Sequence, residues 1–207
     1  MKKAIPLWLG FSMAFSAQAG AMVITFDDLA RGVYGDTLTY GNATIKSQAG
    51  GILEITDQTA DGFGNAYSLP NKLCVWGNQP LTPKEKTSFV LLFSEPIEEF
   101  SFWLTGTFHD TTVIAFDANG SPVETFVQTY PQTGPTAPDG SSWDYYYDRA
   151  LRFIDLDATA IRKVSIQPAA YDGFSIDHVS YQVIPEPSTL FLLTSALLSV
   201  SFRRRKK

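Results

Sequence analysis

Between residues 20 and 184 the apolar positions recur in short runs at a spacing of two, and no stretch holds a long 3.6-residue stripe. These runs predict strands at 22–27, 38–46, 52–56, 73–76, 87–93, 99–105, 111–116, 123–130, 151–156, 163–167 and 173–183. They are rich in Val, Ile, Phe, Tyr and Thr, which suit a pleated, half-buried surface, and Gly, Pro, Asn and Asp separate them. The alternation assigns faces: Phe100, Phe102 and Leu104 share one side, Ser101, Trp103 and Thr105 the other. Asp117-Ala118-Asn119-Gly120 predicts a tight turn between adjacent strands, and Ser94-Glu95-Pro96 predicts a break. Pro131, Gly134, Pro135, Pro138 and Gly140 mark 131–142 as the longest loop. No repeat is visible, and no strand–helix alternation that would build a parallel sheet. The pattern predicts an all-β fold, a two-sheet antiparallel β-sandwich of jelly-roll-like form over residues 20–184.

The last predicted strand breaks parity. Phe174 and Ile176 share one face, while Val179, Tyr181 and Val183 form a set offset by one. One extra residue near Asp177-His178 would turn both sets inward, as a β-bulge does, and would put Asp177 and His178 at the sheet rim. The first strand ends at Asp27-Asp28 after Ile24 and Phe26. The terminal strands of a jelly roll often lie side by side, so these acids are expected to converge.

Both ends of the chain depart from this pattern. Lys2 and Lys3, an apolar run over 4–15 and Ala17-Gln18-Ala19 predict a secretory signal peptide, residues 1–19, cut by signal peptidase after Ala19 or alternatively after Ala21. At the other end Pro185-Glu186-Pro187 precedes an apolar run over 188–202 and a basic stop, Arg203-Arg204-Arg205-Lys206-Lys207. As a helix that run would be about 22 Å long against a hydrocarbon core of about 30 Å, a gap that snorkelling by the basic end can close. The expected result is transient anchoring through a transmembrane helix, with the basic end inside and the body outside. The prolines disfavour helix at the residues before them, so the tripeptide stays extended where a protease can reach it.

Residues 185–207 resemble the PEP-CTERM sorting signal of Gram-negative, exopolysaccharide-making bacteria. The resemblance implies that an exosortase, a membrane cysteine protease, recognises Pro185, Glu186 and Pro187 and removes the tail. It then passes the protein on for cell-surface attachment or release. It implies sorting and assigns no activity to the body. The strand ending in Asp27-Asp28 and the Gly173-Phe174-Ser175-Ile176-Asp177-His178-Val179-Ser180-Tyr181 finish resemble the bodies of PEP-CTERM proteins. More loosely they resemble galactose-binding-like and carbohydrate-binding jelly rolls. That second resemblance implies a calcium ion holding the terminal strands, with Asp27, Asp28 and Asp177 as its ligands; the plain alternative is acids that cap turns and face solvent.

Charge narrows the partners. The chain holds 16 Lys and Arg against 21 Asp and Glu. Seven of the basic residues and one acid, Glu186, lie in the two terminal segments, which leaves 9 basic and 20 acidic residues between them, a net of −11. Such a body repels nucleic-acid backbones and suits an extracellular protein. Cys74 is the single cysteine, which excludes an intramolecular disulfide; it is expected buried on a strand, with an intermolecular bridge as the alternative. Trp76 and Trp103 are expected in the core. Trp143, Tyr145, Tyr146 and Tyr147, interleaved with Asp144 and Asp148, are candidates for a glycan platform, the alternative being a packed strand edge. The Asn42-Ala43-Thr44 sequon is expected to be chance. There is no nucleophile elbow, His-Glu-x-x-His, Cys-x-x-Cys or phosphate loop, so no residue is assigned a catalytic role and the protein is expected not to be an enzyme. The expected function is a non-catalytic surface or biofilm-matrix module that associates with exopolysaccharide. A structural matrix protein without a glycan ligand is the first alternative, and a glycan hydrolase the second.

Overall fold

A computed structural model describes residues 20–48, 50–57, 68, 70–76, 88–106, 109–129, 151–169 and 174–184. The signal peptide, the 131–142 loop, the 143–147 aromatic cluster and the sorting signal at 185–207 lie outside the described residues. Twelve strands form within them: β1 (Ala21–Ile24), β2 (Gly32–Gly35), β3 (Thr37–Tyr40), β4 (Ala43–Gln48), β5 (Ile52–Asp57), β6 (Asn71–Trp76), β7 (Ser88–Thr105), β8 (Thr111–Phe116), β9 (Pro122–Gln128), β10 (Arg152–Leu156), β11 (Ile161–Pro168) and β12 (Phe174–Val183). Every pairing is antiparallel.

β7 organises the rest. Its first half pairs with β4 on one side and β11 on the other, and its second half with β10 and β12. The first layer therefore runs β3-β4-β7-β11-β8-β9, and the second β2-β5-β6-β12-β7-β10, with β1 beside the later part of β12. Ile97 marks the crossing, since it pairs with Ile161 in one layer and Val183 in the other. Two strands, 87–93 and 99–105, are predicted here with a break between them. Instead the backbone runs through as one 18-residue strand. Pro96, which has no N–H to give a ladder, sits where β7 changes partners, so its lost bond falls where pairing lapses anyway.

The alternation carries the core. Phe89, Leu91 and Phe93 of β7 point inward from the first layer, beside Ala43 and Ile45 of β4 and Val164 and Ile166 of β11. Phe100, Phe102 and Leu104 point inward from the second, beside Ile154, Leu156 and Ile176. Aromatic rings bridge the layers: Phe89 stacks on Phe174 at 5.3 Å and Phe93 meets Tyr181 edge-on at 5.0 Å. Phe93 also lies 5.9 Å from Phe100, across the crossing on the same strand. Each fully buried ring of this size contributes roughly 1.5–3 kcal/mol.

Two bulges lie opposite each other near the crossing. In β12 the register with β7 shifts between Asp177 and Ser180, with His178 in the left-handed region at φ 49°. In β7 it shifts back between Ser101 and Glu98, with Glu99 at φ 52°. The β12 bulge does what the broken parity predicts: Phe174, Ile176, Val179 and Tyr181 are all buried. β1 pairs with β12 from Ala21 to Ile24, so the terminal strands do lie together. Asp117 caps the β8–β9 turn by accepting from the N–H groups of Asn119 and Ser121 at 2.8 and 2.9 Å.

Other expectations need correction. The run 38–46 is a hairpin, not one strand, because Gly41-Asn42 reverses the chain with Gly41 at φ 59° and Tyr40 paired to Ala43. β2 went unpredicted, since Gly32-Val33-Tyr34-Gly35 reads as a turn. Trp103 is not core. It stands on the outer side of β7, partly exposed, where its own alternation with Phe102 and Leu104 puts it.

Deleting His178 should turn either Phe174 and Ile176 or Val179 and Tyr181 outward. Loss of a cooperative denaturant transition is expected; a midpoint close to wild type would show that the bulge does not set the register.

Candidate functional site

The acidic ends of the terminal strands form a hydrogen-bonded clasp. Asp177 is 1% exposed, not at the rim, because Ser68 lies over its carboxylate on the outer side of the sheet. Its carboxylate accepts from the Ser68 N–H at 2.6 Å, the Ser68 hydroxyl at 2.9 Å and the His178 N–H at 2.7 Å. Asp27 accepts from the Asn71 N–H at 2.9 Å, and the Asn71 side-chain amide donates to the Leu29 carbonyl at 3.1 Å. Arg31 donates to Asn71 Oδ1 at 3.1 Å and pairs with Asp57. The segment between β1 and β2 is thereby fastened to the start of β6. Phe26, buried at φ 64°, and His178 each hold a left-handed conformation that costs a side-chain-bearing residue about 1–2 kcal/mol, and each adjoins one of the two clasp aspartates.

Asp28 turns elsewhere and accepts from the Tyr40 hydroxyl at 2.7 Å. That hydrogen bond, with partial burial and the carboxylate's charge, holds the Tyr40 phenol above its ordinary range. Asp27 and Asp177 thus meet through the 68–71 segment, and Asp28 does not join them. Among the described residues no three His, Cys, Asp or Glu gather as a metal-binding group. A calcium ion on Asp27, Asp28 and Asp177 would need ligands beyond them.

The outer side of the second layer is unusually polar for a buried surface. Thr56, Lys72, Thr105, Ser175 and Asp177 are all buried there. Cys74 is buried as expected, with its sulfur 3.0 Å from both the Thr56 and Ser175 hydroxyls. Toward the β10 edge the face opens. Trp103 and Phe153, paired in register, bring their rings to 5.2 Å, and Phe153 is 50% exposed. Ser101, paired with exposed Asp155, and Ser180 beyond it add a hydroxyl row beside the rings. Phe153 was missed in the sequence, yet its signal is there: Ile154 and Leu156 point inward, so their neighbours Phe153 and Asp155 must point out. The predicted cluster Trp143, Tyr145, Tyr146 and Tyr147 precedes β10 in sequence and lies outside the described residues.

Among the described residues one outward aromatic–polar surface and a mainly structural clasp stand on an all-β frame. Residues 183–206 match the PEP-CTERM protein-sorting motif. That motif indicates export and cell-surface sorting in a Gram-negative bacterium. The fold is similar to the K1 cleaved adhesin domain of Lys-gingipain from Porphyromonas gingivalis W83, with a TM-score of 0.51 at 10% identity, over 80% of this chain and 99% of that one. The K2 cleaved adhesin domain of Lys-gingipain gives a TM-score of 0.48 at 12% identity, over 78% and 97%. The CBM22-1 xylan-binding domain of Paenibacillus barcinonensis Xyn10C gives 0.41 at 12%, over 79% and 93%. At these identities the likeness is one of fold. No curated protein sequence matches the chain.

Asp177→Asn should cost about 2–3 kcal/mol, since an amide replaces a buried carboxylate that accepts from three partly buried donors; urea midpoints measure it, and a change below about 0.5 kcal/mol would remove the clasp from the account of stability. Burial pushes the Tyr181 phenol up to about 12. Folding therefore favours its protonated form, a contribution present below the ordinary value near 10 and lost as pH rises toward 12. Stability should fall across that window, and Tyr181→Phe should flatten the fall in pH-dependent unfolding curves.

Proposed function

We propose that this protein is a non-catalytic surface module whose second layer holds exopolysaccharide through the outward aromatic pair Trp103 and Phe153. The observation that carries this reading is Phe153 itself: half-exposed on an edge strand, packed on a partly exposed tryptophan, and beside Ser101, Ser180 and Asp155. Flat rings with hydroxyl and carboxylate neighbours suit a sugar ring, which offers C–H groups on one face and hydroxyls around its edge. Trp143, Tyr145, Tyr146 and Tyr147, outside the described residues, enter the proposal from the sequence alone as a second set of glycan-contacting rings. Similarity to an adhesin domain and to a xylan-binding domain is consistent with the class and selects no ligand.

The sorting motif supplies the setting. Exosortase acts at Pro185, Glu186 and Pro187 while 188–202 lies in the inner membrane and Arg203 to Lys207 hold the cytoplasmic side. The body is then delivered to the cell surface or released into the matrix. Calcium enters this proposal as a structural ion near Asp27 and Asp177, with Asp28 turned to Tyr40 and ligands beyond these acids required. A structural matrix role without glycan is the competing reading, favoured if the protein self-associates and binds no polysaccharide.

Retention on a column of the native exopolysaccharide, run with calcium and with chelator, tests this reading. Wild type should be retarded. Phe153→Ala and the Trp143→Ala, Tyr146→Ala double variant should each elute nearer the void, and elution unchanged by both would refute the platform. Chelator should weaken retention if calcium orders the module, and coincident elution would take the ion out.

A further inference from the structure

A groove on the opposite side of the molecule has a different chemistry. Its volume is about 370 Å³, and Thr39, Gly41, Asn42, Thr44, Lys46, Leu92, Phe93 and Ser94 line it. This is within the usual range for small-ligand sites, about 300–1,000 Å³. It lies where the β3–β4 hairpin meets β7 just before the crossing. The Ser94 N–H donates to the Asn42 carbonyl at 3.0 Å and so ties the hairpin turn to β7. Arg162 of β11 donates to the Ser94 carbonyl and fixes the same corner.

Three features of the lining point to a ligand. It contains no acid, although the body around it carries a net charge of −11. Lys46 is exposed, and no described carboxylate pairs with it. The Thr39 and Thr44 hydroxyls stand 3.3 Å apart on adjacent strands, next to Lys46 along β4. Asn42 adds a further one. Its side-chain oxygen accepts from the buried Tyr181 hydroxyl, while its Nδ2 is buried with no hydrogen-bond partner. An unsatisfied buried amide is costly and calls for an explanation. The Asn42 amide is also held by Tyr181, so the sequon asparagine is a structural part of the turn.

We propose that this groove binds a carboxylate-bearing sugar unit, as in a uronate-containing glycan. Lys46 meets the carboxylate, the two threonine hydroxyls meet sugar hydroxyls, and the Asn42 Nδ2 donor, uncovered by a small shift of the turn, completes the set. Leu92 and Phe93 supply the apolar floor. Lys163, the next residue across the sheet from Leu92, is not part of the site, because its ammonium sits 3.7 Å over the Phe116 ring. The acidic body repels long polyanions beyond the groove, and salt screens both effects within a Debye length of about 8 Å. Affinity should therefore be modest, carried by a short segment and sensitive to ionic strength. This proposal is independent of the aromatic platform on the other layer.

Calorimetric titration of the purified protein with oligogalacturonate, and with the same oligomer as its methyl ester, tests it. Saturable binding of the acid is expected, at least about tenfold weaker for the ester and for Lys46→Gln, with Thr44→Val weaker to a smaller degree. Both substitutions fall at solvent-facing positions, so thermal melting should stay at the wild-type value. Equal affinity for acid and ester, no binding of the acid, or an unchanged Lys46→Gln protein would overturn the proposal.

Discussion

One strand belongs to both sheets, and the arrangement of the rest depends on it. A separate strand in each layer would leave the layers joined only by loops. β7 instead carries Phe89 and Phe93 in the first layer and Phe100 and Phe102 in the second on a continuous backbone. The two inner faces are thereby set by one backbone. A strand that keeps strict period two while crossing between layers would present the wrong face after the crossing unless something absorbed the change. Glu99 does so, with an extra residue at φ 52°. The partner strand needs the complementary correction, and His178 provides it one row away. The paired bulges follow from the crossing.

The same correction places the clasp. Beside the extra residue at His178, Asp177 is covered on the outer side of the sheet, and a buried carboxylate must find donors. Ser68 and the His178 backbone supply them, and Ser68 in turn reaches the Thr25 carbonyl at 3.5 Å, just after β1. The terminal strands are thus joined by a backbone ladder and by side chains of the intervening sequence. Burying this polarity is more demanding than burying a hydrophobic pair, but it fixes the register of β12 in a way that apolar contacts, which tolerate sliding, do not.

Much of this was legible in the sequence, and the failures have physical causes. The alternation in 99–105 gave both faces of β7 correctly, and the parity break at Asp177-His178 located the bulge. What failed was whatever depended on a second strand. Pro96 reads as a break because a proline interrupts a ladder, but the sequence does not reveal that the ladder changes partners there. Asp177 reads as a rim residue because acids prefer water; its donors come from Ser68, more than a hundred positions away in the chain. Trp103 reads as core by size, although its own parity had already put it outside. Phe153 shows the converse: a single ring beside the aromatic run at 143–147 carries no signal by composition, and only its parity against Ile154 and Leu156 turns it outward. Local pattern specifies faces; burial is decided by what lies across them.

The two outer surfaces lead to different expectations about what the protein meets outside the cell. The Trp103–Phe153 side offers rings and hydroxyls with a single exposed carboxylate nearby, a chemistry that is largely indifferent to ligand charge. The hairpin groove offers a cation on a body that is otherwise strongly acidic. Long-range electrostatics would drive an acidic polymer away from this protein, and only contact within a Debye length favours one. A surface module with both features would hold a mixed polysaccharide by its neutral stretches while reading its acidic residues singly. Such a partition keeps a highly charged protein soluble beside a highly charged polymer, since neither has to neutralise the other to remain attached.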